Sequence, residues 1–249
     1  MTQWGKENVI DFYSKNRNKL SHLYDSEKIP LNSINKKKVH SILDYGCAVG
    51  GFYEIFKIFF NKNILYHGLD TEKKIIEAAQ EKYSRQTKNK FSVIKKGKIK
   101  IKSNNFSLTF STGVLNHNLD YKKIINELIR ISKKYTFIDS PRVHLAKSFV
   151  GKLNLTKRFP SGIKKNNIVN NYTINFEDYL IFLKKTFKKN NINYAIFYSN
   201  YLPYKKKYLK INKKISFLTF LCSKNNYKSE FALKTKNREM LKVFNKIFK

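Results

Sequence analysis

The sequence predicts an α/β fold, a doubly wound and mostly parallel sheet of seven strands behind a helical N-terminal extension. Three observations carry that prediction. Between His40 and Asp139, short apolar runs alternate with stretches whose apolar residues recur at helical spacing. The first run passes through an acid into a small-residue turn, Ser41-Ile-Leu-Asp-Tyr-Gly-Cys-Ala-Val-Gly-Gly-Phe52. A second acid, Asp70, closes the next apolar run. A strand, a glycine-rich turn, a helix and an acid after the following strand make a nucleoside-binding unit.

Val9, Ile10, Phe12, Tyr13, Leu20 and Leu23 give the helical pattern of the extension, from Asn8 to about Tyr24. Strand one is His40–Asp44, and its helix is Gly51–Phe60. Strand two, Leu65–Leu69, is followed by Thr71 as the cap of a helix over Glu72–Tyr83. Strand three is Phe91–Ile94 and strand four Phe106–Ser111. Ile124, Ile125, Leu128 and Ile131 mark a helix over Tyr121–Ile131, and strand five, Tyr135–Asp139, is stopped by Pro141. Regularity is then lost until about Phe176, which begins a helix reaching Lys188. Tyr194–Ser199 and Ile215–Cys222 are the last strands, and the tail after Ser223 reads as a basic amphipathic helix. The chain is expected to form one domain over 1–249. It has a helical cap at 1–38, an insertion on the substrate side at 141–175 and a basic C-terminal helix at 224–249.

The chain has 249 residues, of which 41% are hydrophobic, enough for a sizeable core. No apolar run approaches the roughly 18 residues of a membrane span, and Met1–Asn8 has no apolar signal core. Two cysteines, Cys47 and Cys222, argue against a disulfide scaffold or a zinc cluster, so no metal site is expected. The expected setting is cytoplasmic. The net charge of +34 is nearly all lysine, dispersed along the chain beside abundant Asn and Ile. Arginine, the better bidentate phosphate ligand, is scarce. The charge therefore reads as compositional, with salt-sensitive, non-specific polyanion binding as its consequence.

The turn admits two cofactor classes. Gly46-x-Ala48-x-x-Gly51 partly matches a dinucleotide fingerprint with Asp70 at about the right distance, which leaves an NAD-dependent oxidoreductase as an alternative. Asp44 precedes the turn, where it would repel a pyrophosphate and suit a cationic group. From Val39 to Arg142 the chain resembles the class I S-adenosylmethionine-dependent methyltransferases. Asp44, Gly46, Cys47, Gly50 and Gly51 stand at the positions of that family's first motif, and Ala48 replaces a usual glycine, which is tolerable at negative φ. Phe106–His117 is similar to its fourth-strand motif, with Ser107 and Asn116 where acids are frequent. Lys98 stands after strand three in place of an acid near the adenine.

The resemblance implies a Rossmann-like sheet whose last strand is antiparallel, and S-adenosyl-L-methionine as cofactor. It implies cofactor contacts at Asp44, Gly46, Cys47, Ala48, Gly50, Asp70, Thr71 and Ser111. Arg17, in an N-terminal region that folds over the cofactor in related enzymes with Tyr13 nearby, is expected at the cofactor carboxylate. His117 lies past strand four and Asp139 ends strand five, both at the carboxyl edge where open α/β sheets bind ligands. An imidazole oriented by a carboxylate can take a hydroxyl proton, so His117 is the expected base and Asp139 its orienting group, with His144 on the following loop as a second base. Arg142 and Arg158 are candidates for an anionic part of the acceptor.

Ser111-Thr-Gly113 lacks the proline motif of base amino-methylation, and neither cysteine is placed for base carbon methylation. The expected reaction is therefore methyl transfer to a small molecule, an O-methylation of a sugar or other biosynthetic intermediate. The alternative acceptor is RNA or another nucleic acid.

Overall fold

The computed structural model describes residue 4 and residues 7–85, 89–94, 99–154, 168–200, 215–224 and 229–249. Arg158, Lys98 and the basic link at 205–207 lie outside them. The chain opens with α1 (Glu7–Lys15), a 3-10 turn (Leu20–His22) and α2 (Asp25–Asn32). The helical pattern expected before strand one is thus divided between two helices and a 3-10 turn. Arg17, with φ of +64°, turns the chain between them.

The sheet follows as β1 (Ser41–Tyr45), α3 (Gly51–Phe59), β2 (Leu65–Asp70), α4 (Lys73–Lys82), β3 (Lys90–Val93), β4 (Phe106–Ser111), α5 (Tyr121–Ile131) and β5 (Ser132–Asp139). After an insertion come α6 (Phe176–Lys189), β9 (Ile192–Asn200) and β10 (Ile215–Lys224). The order β3-β2-β1-β4-β5-β10 continues through β9. These are the seven expected strands. All pairings are parallel up to β5, and β10 runs antiparallel between β5 and β9. Among the described residues, all eleven strands belong to one sheet.

Successive side chains of a strand leave opposite faces, and both faces are covered. Ile42, Leu108, Phe110 and Phe137 pack with Phe52, Ile55 and Phe56 of α3 and Ile76 and Ala79 of α4. On the other face Leu43, Ile138 and Phe220 pack with Ile125 and Leu128 of α5 and Leu180 and Leu183 of α6. Phe56, Phe110 and Phe137 are fully buried, each worth roughly 1.5–3 kcal/mol against exposure.

Two expectations are corrected. The described residues after Pro141 form regular structure, with β6 (Arg142–His144), β7 (Phe149–Asn154) and β8 (Ile168–Asn175). β5 and β6 flank a bend at Ser140-Pro141 and both stay paired with β10, so β6 carries the sheet past its carboxyl edge. β8 adds to β6 in parallel and β7 to β8 antiparallel. Their Asn-rich sequence has no long apolar run to announce them. The tail is also not all helix. β11 (Glu230–Lys234) pairs in parallel with β9 before α7 (Arg238–Phe248), because Phe231 and Leu233 extend the core of the sheet.

Candidate active site

After β1 the chain turns through Gly46 (φ +80°), Ala48 (φ +47°) and Gly50 (φ +76°) into α3. The amides of Gly46 and Cys47 donate to the Leu69 carbonyl at 2.7 and 3.0 Å. Ala48 N donates to Asp70 Oδ2 at 3.1 Å, and Glu72 N donates to Asp70 Oδ1 at 3.1 Å. The carboxylate that ends β2 thus clasps the turn of β1 and the start of α4. Ala48 departs from the negative φ expected of it. Its left-handed backbone costs roughly 1–2 kcal/mol, and the Asp70 hydrogen bond offsets this.

Gly46 is required by protein packing. A Cβ there would overlap Val114 Cγ2, from the loop after β4. Thr71 is exposed, and the cap position of α4 falls on Glu72 without a side-chain cap bond. The expected Thr71 cap is therefore corrected, because Asp70 has already taken the Glu72 amide.

Asp44 is 2% exposed, and its Oδ2 accepts from Tyr66 Oη at 2.5 Å. Burial pushes its carboxyl up to about 7, against the Tyr66 hydrogen bond, while the Asp70 charge adds to the rise. Cys47 is buried with its thiol on the Ala48 carbonyl at 3.3 Å. Burial, with the charges of Asp70 and Asp44, holds that thiol well above its ordinary value, which removes it as a nucleophile. Burial likewise pushes Cys222 up to about 12, in the core.

At the end of β4, Ser111 is fully buried and its Oγ has no partner among the described residues. Gly113, at φ +69°, has no heavy atom within 4 Å of where a Cβ would stand, so the surface beside it is open. Its amide donates to Asp139 Oδ2 at 3.2 Å. Burial first, and then the charge of Glu27, pushes Asp139 up to about 7, against that bond and the charges of Arg17 and Arg142.

His117 closes a 3-10 turn, Leu115–His117. Its Nδ1 donates to the Asn170 carbonyl at 2.8 Å, its Nε2 faces the Asn116 amide at 3.1 Å, and Trp4 lies 5.1 Å from the ring. The imidazole is therefore oriented by β8, while Asp139 holds Gly113 N at the end of β4. His144 lies in β6, not on a loop. It is 5% exposed, and its Nδ1 accepts from the amides of Ala146 and Lys147 at 3.0 and 3.2 Å. Arg142 is 4% exposed, with Nη1 2.6 Å from the side-chain amide of Asn171, whose oxygen accepts from it once that amide is turned so that its oxygen meets a donor, and its guanidinium 5.1 Å from the Phe217 ring centre.

Arg17 forms an ion pair with Glu27 and donates to the His22 carbonyl at 2.6 Å. Its guanidinium lies over the rings of Tyr24 at 4.4 Å and Phe52 at 5.1 Å, which sets the N-terminal segment on the first turn of α3. Tyr13 and Phe12 of α1, with Trp4, pack around Val9 beside Leu153 of β7 and Val169 of β8. Glu27, Trp4 and Asn171 were not singled out from the sequence. Their partners are remote in the chain, and only the Glu27 spacing from Tyr24, whose amide it accepts at 2.9 Å, carries a local signal.

A family model described as "Methyltransferase domain" matches residues 36–213. The chain belongs to that family. It is a class I S-adenosylmethionine-dependent methyltransferase, which decides between the two cofactor classes that the turn allowed. A search of curated proteins found no match. The fold of this methyltransferase is shared with solved structures at low identity. A chain in the complex of the Haloferax volcanii Trm112 methyltransferase activator and a methyltransferase aligns at TM-score 0.55 and 12% identity, covering 89% of this chain and 96% of that one. Residues 961–1257 of StiE O-MT align at 0.54 and 11%, covering 88% and 76%. The N-terminal domain of EvdMO1 with bound SAH aligns at 0.52 and 8%, covering 76% of each chain. The carboxyl edge fits the cofactor chemically. A buried hydroxyl, Ser111 Oγ, lacks a partner among the described residues, an open surface lies beside Gly113, and the Asp70 carboxylate stands at the small-residue turn. Among the described residues, no helix is long and apolar enough to cross a membrane.

Proposed function

We propose that this methyltransferase acts on a hydroxyl of a small polar acceptor, such as a sugar or another biosynthetic intermediate, in the cytoplasm. The polar wall beside the β4 edge carries this reading. Asn116 and His117 reach it from the 3-10 turn, Asn171 and Arg142 from the small sheet, and Trp4 covers the imidazole. A few convergent donors and acceptors against aromatic surface suit a small polar ligand.

In this reading the chain is one domain, with 1–38 as the cap and 141–175 as the acceptor-side wall. Asp70, Thr71 and the backbone of Gly46, Cys47, Ala48 and Gly50 hold the nucleoside, and Ser111 Oγ offers a bond at the β4 end. Asp44 supports the turn from below, and Arg17 holds the cap over it. S-adenosylmethionine supplies the methyl group on a sulfonium. With Nδ1 donating to Asn170, a neutral His117 presents the Nε2 lone pair toward the hydroxyl proton once Asn116 yields it. Asp139 keeps Gly113 and the β4 edge in place and provides a second carboxyl that is half protonated near neutral pH.

The test uses methyl-labelled S-adenosylmethionine with a small-molecule extract and with total RNA at physiological salt, separated by ultrafiltration. Label should enter the small-molecule fraction, and Asp70→Ala should abolish it. Label retained on RNA, with the same dependence on Asp70, would overturn the acceptor assignment.

A further inference from the structure

The amino edge of the sheet, opposite the site above, gathers cations that come from separate elements. Strand direction places the residue before β1, the start of β5, the start of β9 and the end of β10 on this edge. Lys38 and Lys134 bring their ammonium groups within hydrogen-bond reach of each other, and burial and that neighbour hold Lys134 below its ordinary pKa. Lys224 donates to the Ser132 carbonyl at 2.8 Å and to Asn104 Oδ1 at 3.0 Å. Burial and the Arg130 charge lower it in the same way.

A depression of about 370 Å³ lies here, lined by Asn104, Lys133, Asn190, Asn191 and Lys224. Glu127, the acid on α5, is already taken by Arg130 at 2.8 Å through both oxygens. Asp70, Asp139 and the first-turn acids of α2 and α6 stand at the opposite edge. Glu230, at the start of β11 beside β9, is on this edge but does not line the depression. Like charges crowded in excess of counter-ions cost stability, and a bound anion would repay that cost.

We propose that this edge binds the phosphate backbone of single-stranded nucleic acid. Lys133, Lys224 and the neighbouring Asn amides hold one phosphate, and Lys38 and Lys134 hold the next. From Lys38 to Lys224 the row crosses three strand spacings, about 14 Å. Lysine is a point charge, so this contact holds a strand without reading its bases. The lining favours nucleic acid over a membrane surface. It is made of ammonium and amide groups, and none of the exposed large apolar side chains belongs to it. β4, six residues long, separates this edge from the carboxyl edge by about 20 Å. The strand is therefore anchored there and is not the methyl acceptor.

The test measures anisotropy of a fluorescein-labelled 15-nucleotide oligothymidine between 50 and 300 mM salt. Cosedimentation with phosphatidylcholine–phosphatidylserine vesicles runs beside it. Lys38→Glu/Lys133→Glu/Lys134→Glu should weaken oligonucleotide binding by more than 10-fold and flatten its salt dependence. Lys74→Glu/Lys122→Glu/Lys242→Glu, with the same change in charge on α4, α5 and α7, should weaken it by less than 2-fold. Calorimetry with S-adenosylhomocysteine, unchanged in both variants, shows that each is folded. Equal losses in the two variants overturn the proposal in favour of bulk charge. Vesicle binding without oligonucleotide binding overturns it in favour of a membrane surface. Methyl label on the oligonucleotide overturns the anchoring role.

Discussion

Asp70 accepts a hydrogen bond from Ala48 N at 3.1 Å, so the acid of the second strand holds the turn of the first. Its other oxygen holds Glu72 N. Asp70→Ala leaves both amides without this acceptor, in a turn that includes a left-handed alanine. It should weaken S-adenosylhomocysteine binding by about 1–3 kcal/mol, the usual result of unpaired buried polar groups. It should also lower the denaturant midpoint. Asp70→Asn keeps one acceptor oxygen and should fall between the two. Calorimetry and urea titration of the three proteins check the order.

The Asp44–Tyr66 pair makes stability depend on pH with a definite sign. Asp44 titrates near 7 in the folded chain, against 3.8 for an ordinary aspartate carboxyl. The native state therefore binds a proton that the unfolded state has lost, and the associated stability is full below about 4 and is lost as pH rises through 7. Asp44→Asn copies the protonated form. The variant should gain on the parent as pH rises from 5 to 8, by an amount on the order of a few kcal/mol. Urea midpoints of both proteins across that range test this, and a difference independent of pH would show that folded Asp44 is already ionised at pH 5 and binds no extra proton.

The parallel strands were legible from short apolar runs that suit burial on both faces, such as Ile42-Leu43 and Phe137-Ile138, and in β4 from the alternation of Phe106, Leu108 and Phe110 with Ser107, Thr109 and Ser111. β6, β7 and β8 were not, since their strand character comes from pairing beyond the sheet edge rather than from their own alternation. β11 was read as helix because Glu230–Lys234 stands beside a strongly periodic helix and is too short to show a period. The turn and Asp70 were visible as a motif, but the left-handed Ala48 was not, because the amide it orients is satisfied 22 residues away. The partner of His117 was invisible for a similar reason. It is a main-chain carbonyl 53 residues on, and a carbonyl has no sequence signature.

Gly46 and Val114 form a second close pair. A methyl group at Gly46 meets both a left-handed φ and the Val114 side chain. Gly46→Ala should destabilise by about 2–5 kcal/mol, from roughly 1–2 for the backbone and 1–3 for overpacking. Val114→Ala in the same chain removes the overlap but not the strain. The double variant should recover part of the loss, which gives a coupling of about 1 kcal/mol or more in a double-mutant cycle. Strict additivity would show that Val114 moves aside at no cost.

Arg17 and Glu27 are 15% and 4% exposed in their side chains, and they join the two N-terminal helices above α3. Arg17→Ala leaves the Glu27 carboxyl buried without its guanidinium, a loss of about 3–5 kcal/mol for breaking such a pair from one side. Glu27→Gln should cost less, since a neutral amide tolerates burial. Limited proteolysis separates local from global effects. Cleavage between Lys15 and Lys28 should accelerate in Arg17→Ala while the sheet core stays protected. Uniform acceleration would mean that the cap and the sheet unfold together.

His117 and Asp139 hold separate partners, so their variants should separate too. With the small-molecule acceptor identified by labelling, His117→Ala should lower kcat by roughly 10²-fold or more, the usual size of general base catalysis. It should leave S-adenosylhomocysteine affinity unchanged, since the ring meets the acceptor. Asp139→Asn still accepts from Gly113 N and should lower the rate less. Asp139 lies near Glu27, Arg17 and Arg142, and its carboxyl titrates near 7. Rate in the parent should therefore rise through neutral pH as Asp139 ionises, and Asp139→Asn should remove that limb while leaving any limb due to His117. A pH–rate profile of the two variants reads this directly. An identical profile in Asp139→Asn would confine Asp139 to shaping the β4 edge and leave the proton to His117 alone.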